Sequence, residues 1–258
     1  MSEIRPSAFL IDLDGVLYVG RSPVPGAREC LELMEERGYR FRFISNSTRR
    51  CRASVARRLS EMGYSIQPER IFTPSVAAIE KILRSGKRRC YLLSTGDLHR
   101  DFEDAGIVLA DEDVDFVVVG DAGSRFTFEH LNIAFNHVLE GADMIALEMD
   151  RYWRDSDGLV LSAGPFVAAL EYATGKRATL VGKPSPDFFN MSLRDMGVRA
   201  CEAAMVGDDI ITDVGGAQRA GMLGILVRTG KYRPELVESS GVTPDCVLDS
   251  IADLVRWL

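Results

Sequence analysis

Ala8-Phe9-Leu10-Ile11-Asp12-Leu13-Asp14-Gly15-Val16-Leu17 is the stretch that decides the fold. Phe9 to Leu13 is apolar apart from Asp12 and short enough to be a buried strand. Asp12 and Asp14 stand two residues apart, so on an extended chain their side chains point the same way. Ligands of open α/β sheets bind at the carboxyl ends of the strands, which is where this pair falls. Two such carboxylates repel each other unless a cation or a shared proton intervenes. Oxygen donors suit a hard dication, and Mg²⁺ is the usual choice beside phosphate. Gly15 lets the chain turn and brings its backbone close to a bound group. An Asp-x-Asp-Gly alone also serves as an ordinary turn after a strand, and the rest of the chain chooses between the two readings.

The chain has 258 residues, of which 46% are hydrophobic and 27% charged, the composition of a globular protein with ample material for a core. Its formal net charge of −7 argues against a general nucleic-acid binder or a membrane-surface protein, so an anionic substrate needs local positive charge. Apolar runs such as Phe116–Val119 and Ile225–Val227 are far too short to cross a bilayer, and Met1–Pro6 opens no secretory segment. Cys30, Cys51, Cys90, Cys201 and Cys246 are scattered and contain no Cys-x-x-Cys pair, as expected of reduced thiols in a cytoplasmic protein. His99, His130 and His137 are too dispersed for a histidine metal site.

Strand and helix signals alternate from here on. A helix is expected over Ala27–Arg37, and a strand over Arg40–Ile44 that runs into Ser45-Asn46-Ser47-Thr48. Thr48 or Ser47 is placed to cap a helix over Arg49–Met62, whose basic face carries Arg49, Arg50, Arg52, Arg57 and Arg58. That face is either solvated or helps attract an anion at its first turn. From Pro68 the pattern restarts. Helices near Ser75–Leu83, Gly96–Ala105, Thr127–Leu139 and Pro165–Ala173 alternate with strands at Cys90–Leu93, Val114–Val119 and Met144–Leu147, and a hairpin is expected over Arg151–Leu161. This block can bury its own core and reads as a domain inserted into the first. The expected division is 1–73 and 177–258 for the core domain, with 74–176 inserted. In the last third, strands at Ala178–Val181, Ala203–Val206 and Leu223–Val227 alternate with helices at Pro186–Met196 and Ile211–Ala220, and a weak strand near Cys246–Leu248 and a helix Ile251–Trp257 close the chain. The fold class is therefore α/β, with one parallel sheet assembled from both ends of the sequence.

Four expected strands end in polar groups suited to one chemistry: Asp12 with Asp14, Ser45 with Asn46, Lys183, and Asp208 with Asp213 a little further on. Each alone has a duller reading, as a turn residue, a surface ammonium or a helix-terminal acid. Together they make a phosphoryl-transfer site. One carboxylate attacks phosphorus and a second acid moves the leaving-group proton; a lysine and a hydroxyl hold the phosphoryl oxygens, and a third acid completes a Mg²⁺ site.

Asp12-Leu13-Asp14-Gly15-Val16-Leu17, Ser45-Asn46, Gly182-Lys183-Pro184 and Gly207-Asp208-Asp209-x-x-x-Asp213 resemble the four motifs of the haloacid dehalogenase superfamily over essentially the whole chain. Thirty residues separate Asp14 from Ser45, whereas 137 separate Ser45 from Lys183, so the inserted block lies between the second and third motifs. That placement resembles the NagD-like phosphatases with a type II, subclass A cap. Gly164–Ala173 and Asp213–Gln218 resemble two groups within them, the haloacid-dehalogenase-like hydrolase domain-containing proteins and the phospholysine phosphohistidine inorganic pyrophosphate phosphatases. The resemblance implies a Rossmann-like parallel-sheet core with an inserted α/β cap. It implies that Asp12 is the nucleophile, forming an aspartyl-phosphate. Asp14 becomes the general acid and then base, and gives its backbone carbonyl to the metal. Ser45 and Asn46 bind the phosphoryl group and Lys183 neutralises it. Asp12, Asp14 and Asp208 hold Mg²⁺, and Asp213 orients a metal-bound water. Asp209 carries no family role and is expected to be a helix-terminal acid. The subfamily usually has Thr where this chain has Ser45, which keeps the hydroxyl and lacks only the methyl.

Three rivals are weighed against the phosphatase. A dehalogenase of this fold needs neither Mg²⁺ nor an acid at Asp14. A phospho-accepting regulator uses a similar set of groups but is half this length and needs no cap. A structural or interaction protein would keep the site only as a relic. The expected partner is a small phosphorylated molecule, with no nucleic acid and no membrane, and the resemblance allows a homodimer through the cap. Caps of this architecture cover the cleft while their loops choose the leaving group. Arg151-Tyr152-Trp153-Arg154 and the turn Asp155–Gly158 are candidates to line it, or form an exposed hairpin packed on the cap core.

Overall fold

The computed structural model describes residues 6–155, 158–256 and 258. The chain forms two compact units: residues 1–45, 56–72 and 183–258 make the first, and 46–55 with 73–182 make the second.

The first unit is built on a six-stranded parallel sheet, in the order Cys246–Leu248, Leu223–Val227, Ala203–Gly207, Ala8–Asp12, Arg40–Ile44, Ile71–Phe72. Ala8–Asp12 is buried throughout, as its near-continuous apolar run requires of a central parallel strand. From it the chain first adds strands on one side, Arg40–Ile44 and Ile71–Phe72, and later on the other, beginning with Ala203–Gly207. The strand order therefore reverses between Ala8–Asp12 and Ala203–Gly207, which is where open α/β sheets bind ligands. Ile11 stands opposite Val206 and Asp12 opposite Ile44, so Asp12, Ser45 and Asp208 leave the sheet at one edge. Pro186–Met196 packs against Arg40–Ile44 and against the short helix Gly216–Arg219, and Ala27–Glu36 packs against the 3₁₀ segment Ile251–Arg256, where the sequence suggests an α-helix.

The second unit has its own parallel sheet, ordered Thr179–Leu180, Asp143–Ala146, Phe116–Val119, Arg89–Leu93, Val108–Leu109. Helices Phe128–Glu140 and Gly164–Thr174 cover it, and Leu93, Val117, Val119, Val138, Val167 and Leu170 fill the core between them. Tyr152–Asp155 pairs antiparallel with Gly158–Leu161, the expected hairpin; residues 156 and 157 of its turn lie outside the described residues.

Three local expectations are corrected. The strand expected at 178–181 joins this second sheet, not the first: Thr179 stands opposite Ile145 and Leu180 opposite Ala146. An apolar β-branched run is equally at home in either sheet, and only pairing chooses between them. The helix expected from Arg49 begins at Arg52, and Thr48 does not cap it. Its first free N–H groups are taken by carboxylates, Cys51 N by Asp97 Oδ1 and Arg52 N by Asp101 Oδ1, both at 3.0 Å, while Thr48 Oγ1 accepts from Asp121 N at 3.1 Å. Charged acceptors make the stronger cap. Arg49, on the face read as either solvated or anion-attracting, lies 3.3 Å from Asp121 and over the Trp153 ring. The helix expected from Ile211 opens as a π-helical segment, Ile210–Gly215, and becomes α-helical only at Gly216.

Candidate active site

Ala8–Asp12 delivers Asp12 to the end of the central strand, 6% exposed. Lys183, equally buried, reaches it from the loop before the helix Pro186–Met196: its Nζ lies 2.7 Å from Asp12 Oδ1 and 2.6 Å from Asp213 Oδ1. Burial alone would favour a neutral lysine, but the two carboxylates more than offset it and hold the ammonium above its ordinary range.

Asp208 follows the strand Ala203–Gly207 directly and is buried. Its Oδ2 accepts from Lys231 N at 2.7 Å. That close approach depends on two glycines in left-handed conformation. A Cβ on Gly15 would stand 1.9 Å from Asp208 Oδ2, and one on Gly230 would stand 2.0 Å from it. Asp213 is brought inward by the π-helical turn, whose extra residue lets both Asp213 N and Val214 N reach Asp209 O. Its second oxygen accepts from Asp209 N at 3.2 Å. Asp209 caps the same segment, its Oδ1 accepting from Ile211 N and Thr212 N at 3.0 Å each, and these N–H groups together with Lys231 keep its carboxyl low despite burial.

Carboxylate oxygens of Asp12, Asp208 and Asp213 all lie within 4.8 Å of one another. Three buried acids thus share one buried lysine. The surplus negative charge appears in the acids themselves: burial, then Asp12 and Asp213, push Asp208 up to about 8, and burial raises Asp213 to about 6 even though Lys183 opposes it. A cluster held in this way has the donor set and the uncompensated charge that a hard dication would satisfy. Asp14 is not in it. Asp14 lies on the loop beyond Asp12 with its surface open to solvent; partial desolvation by its neighbours nudges its carboxyl up, and Arg58 opposes the rise. Ser45 continues the strand beside Asp12, its N–H donating to Phe72 O at 3.1 Å. Asn46 belongs to the second unit, where its Oδ1 lies 2.9 Å from the position of a Cβ on Gly182, the residue before Lys183.

Thr229-Gly230-Lys231, not among the residues expected at the site, grips both Gly15 and Asp208: Thr229 Oγ1 donates to Gly15 O and Lys231 N to Asp208 Oδ2, while Lys231 Nζ lies 3.6 Å from Asp209. The signal was available. A polar trio with glycine follows the apolar strand Leu223–Val227 just as the other site residues follow theirs.

The raised carboxyls make stability depend on pH. Between their ordinary value of 3.8 and about 8, the folded metal-free protein keeps protons on Asp208 that the unfolded chain has released. The folded state binds more protons in that window, so this group's contribution is complete below pH ~4 and is lost as pH rises through about 8. The melting temperature of metal-free protein should therefore decline from pH 5 to pH 8 relative to Asp208→Asn. Parallel profiles for the two proteins would contradict the crowding.

Comparison with known proteins identifies the family. A family model for haloacid dehalogenase-like hydrolases matches residues 9–108, and a second, HAD-hydrolase-like model matches residues 180–254. The human haloacid dehalogenase-like hydrolase domain-containing protein 2 is 41% identical over 248 residues, covering 96% of this chain and 94% of that protein. The human phospholysine phosphohistidine inorganic pyrophosphate phosphatase is 37% identical over 255 residues, covering 96% and 93%. Among solved structures, a 4-nitrophenylphosphatase from Thermotoga maritima superposes with a TM-score of 0.91 at 33% identity, covering 98% of this chain and 97% of its own. NagD from E. coli K-12 superposes with a TM-score of 0.87 at 27% identity, covering 96% and 98%. The chain belongs to the haloacid dehalogenase-like hydrolases and is a phosphatase of their NagD-like type, with an α/β cap domain inserted in a Rossmann-like core.

Proposed function

We propose that this phosphatase hydrolyses a small phosphorylated molecule through an aspartyl-phosphate on Asp12, with Mg²⁺ bound beside it. The observation that carries the reading is the buried group of Asp12, Asp208 and Asp213 around the single ammonium of Lys183. Asp12 and Asp208, with the Asp14 carbonyl, would hold the ion; Asp213, both of whose oxygens are engaged by Lys183 and Asp209 N, would orient a metal-bound water. When bound, Mg²⁺ neutralises surplus charge on the acids and on the phosphoryl oxygens.

In the first step an Asp12 carboxylate oxygen bonds to phosphorus as the bond to the leaving group breaks, and Asp14 supplies the proton that the departing oxygen or nitrogen takes up. In the second step water attacks phosphorus, its proton returns to Asp14, and the bond between Asp12 and phosphorus breaks to release phosphate. Lys183 orients the Asp12 carboxylate through Oδ1 and offsets charge on the phosphoryl group. The Ser45 hydroxyl and the Asn46 amide would bind the phosphoryl oxygens. Because relatives carry the names of a 4-nitrophenylphosphatase and of a phospholysine, phosphohistidine and pyrophosphate phosphatase, candidate substrates are phosphomonoesters, pyrophosphate and phosphoramidates. The five free thiols fit a reducing, cytoplasmic setting.

The test is phosphate release from a panel of these three classes, with Mg²⁺ and with chelator. Turnover that disappears with chelator and returns with Mg²⁺ is the expected result, and the order of kcat/KM across the panel identifies the substrate class. Turnover unaffected by chelation would refute the metal assignment.

A further inference from the structure

The proposed general acid, Asp14, is carried on a loop whose own backbone bonds are few. Gly15 N donates to Tyr18 O at 2.7 Å, Leu17 N to Leu13 O at 2.9 Å, and a two-residue hairpin pairs Tyr18–Val19 with Ser22–Pro23. Hairpins this short are not stable by themselves. The loop is held from outside, and the grip comes from residues that none of the four motifs contains.

Tyr64 is almost wholly buried at 3% exposure, and its hydroxyl donates to Leu17 O at 2.5 Å, sharing that carbonyl with the N–H of Val24 at 2.8 Å. Arg58 lies one turn before the end of the helix that closes at Glu61. Its Nη2 donates to Gly20 O at 2.7 Å, and its guanidinium lies 5.1 Å from the centre of the Tyr18 ring. Tyr18 is also the residue that bridges to Asp14 in the loop's only β-bridge outside its strands among the described residues. Tyr64 therefore fixes the near side of the hairpin at Leu17, while Arg58 fixes its partner residue Tyr18 and its tip at Gly20. Both come from the same stretch of chain, Arg58 to Tyr64, which turns back at Gly63 with Tyr64 N donating to Leu59 O.

We propose that Tyr64 and Arg58 are positioning residues for Asp14: they hold the acid loop in the one register that places its carboxyl at the leaving-group atom. The inference rests on the assignment of Asp14 as general acid. A proton donor must come within hydrogen-bond reach of the atom it protonates, and a misplacement of about 1 Å is enough to cost ~100-fold. Neither residue touches the buried acids Asp12, Asp208 and Asp213 or Lys183 in any bond described above. Loss of either grip should therefore impair proton donation while leaving phosphoryl capture intact.

That separation can be measured. kcat/KM reports phosphoryl transfer to Asp12, and p-nitrophenolate leaves without help from an acid, whereas an alkoxide does not. In Tyr64→Phe, which removes only the hydroxyl, kcat/KM for an alkyl phosphate should drop by about tenfold or more, with p-nitrophenyl phosphate affected less than about twofold and phenyl phosphate in between. Arg58→Met should give the same ordering, and Arg58→Lys, which keeps a donor for Gly20 O, should recover part of the loss on the alkyl ester. Equal losses across the three esters, or no loss on any, would overturn the proposal. If Arg58→Met does not fold, as judged by circular dichroism, Tyr64→Phe decides alone. Asp14→Asn, run on the same esters, keeps the two assignments apart. A steep leaving-group dependence in Asp14→Asn with a flat one in Tyr64→Phe rejects the positioning role only. A flat dependence in Asp14→Asn rejects the general-acid assignment beneath it.

Discussion

Replacing Asp12 by Asn should abolish turnover, by about 10⁴-fold or more in kcat, and should leave the protein folded and no less stable without metal. The two halves of this expectation have different causes. An amide cannot attack phosphorus to give the aspartyl-phosphate, and loss of the nucleophile removes the route itself. Stability follows from charge. Asp12 is one of three buried acids around Lys183, and its charge adds to the burial that raises both Asp208 and Asp213. Asparagine has the same shape and offers a carbonyl oxygen to Lys183 Nζ, while Asp213 keeps the ammonium paired at 2.6 Å. The variant therefore loses one repelling charge and no essential contact. Steady-state assays beside thermal melts in chelator check both halves. Residual activity above about 1% of wild type would mean that water, not Asp12, attacks phosphorus.

The second large effect is expected for Lys183→Met, which removes the only lysine or arginine side chain that is buried among the described residues. Asp12, Asp208 and Asp213 then keep their mutual repulsion without the ammonium that pairs with Asp12 and Asp213. Removing one partner of a buried ion pair typically costs about 3–5 kcal/mol, because the remaining charge stays buried and unpaired. For a chain of this size that corresponds to a decrease of about 10 °C in melting temperature. Part of the cost will be evaded by protonation of Asp208, whose carboxyl already titrates at about 8, so the deficit should be larger at pH 8 than at pH 5. Activity should also be lost, since Lys183 is the ammonium paired with Asp12. A dication supplies charge at the same place, so added Mg²⁺ should recover more of the melting temperature in Lys183→Met than it adds to wild type. Equal Mg²⁺ increments in the two proteins would show that the ion and the lysine do not share these carboxylates.

Much of the site was legible because strand ends are local features. A run such as Phe9–Leu13 declares its own burial, and a polar residue directly after it must emerge at the sheet edge. Asp12 and Asp208 were found by that rule, Lys183 by the same reading of a strand that in fact joins the other sheet, and the structure brings all three together with Asp213. The same rule applied to Leu223–Val227 would have found Thr229 and Lys231. Arg58 and Tyr64 carry no such signal. One lies on a helix face crowded with arginines and the other follows a helix, and their partners on the acid loop are more than thirty residues away in sequence.

By itself, then, the sequence determined the alternation of strands and helices, the parallel sheet built from both ends of the chain, and the placing of Asp12 and Asp208 at its edge. These follow from periodicity and from the alternation of apolar runs with polar ends, which act within a few residues. Only the tertiary structure decided which sheet took Thr179–Leu180, which carboxylates capped the helix beginning at Arg52, and how the π-helical turn brought Asp213 inward to Lys183. In each case the sequence offers several acceptable partners of similar local energy. The choice falls to long-range pairing, where burial makes one charged or hydrogen-bonded arrangement far better than the rest.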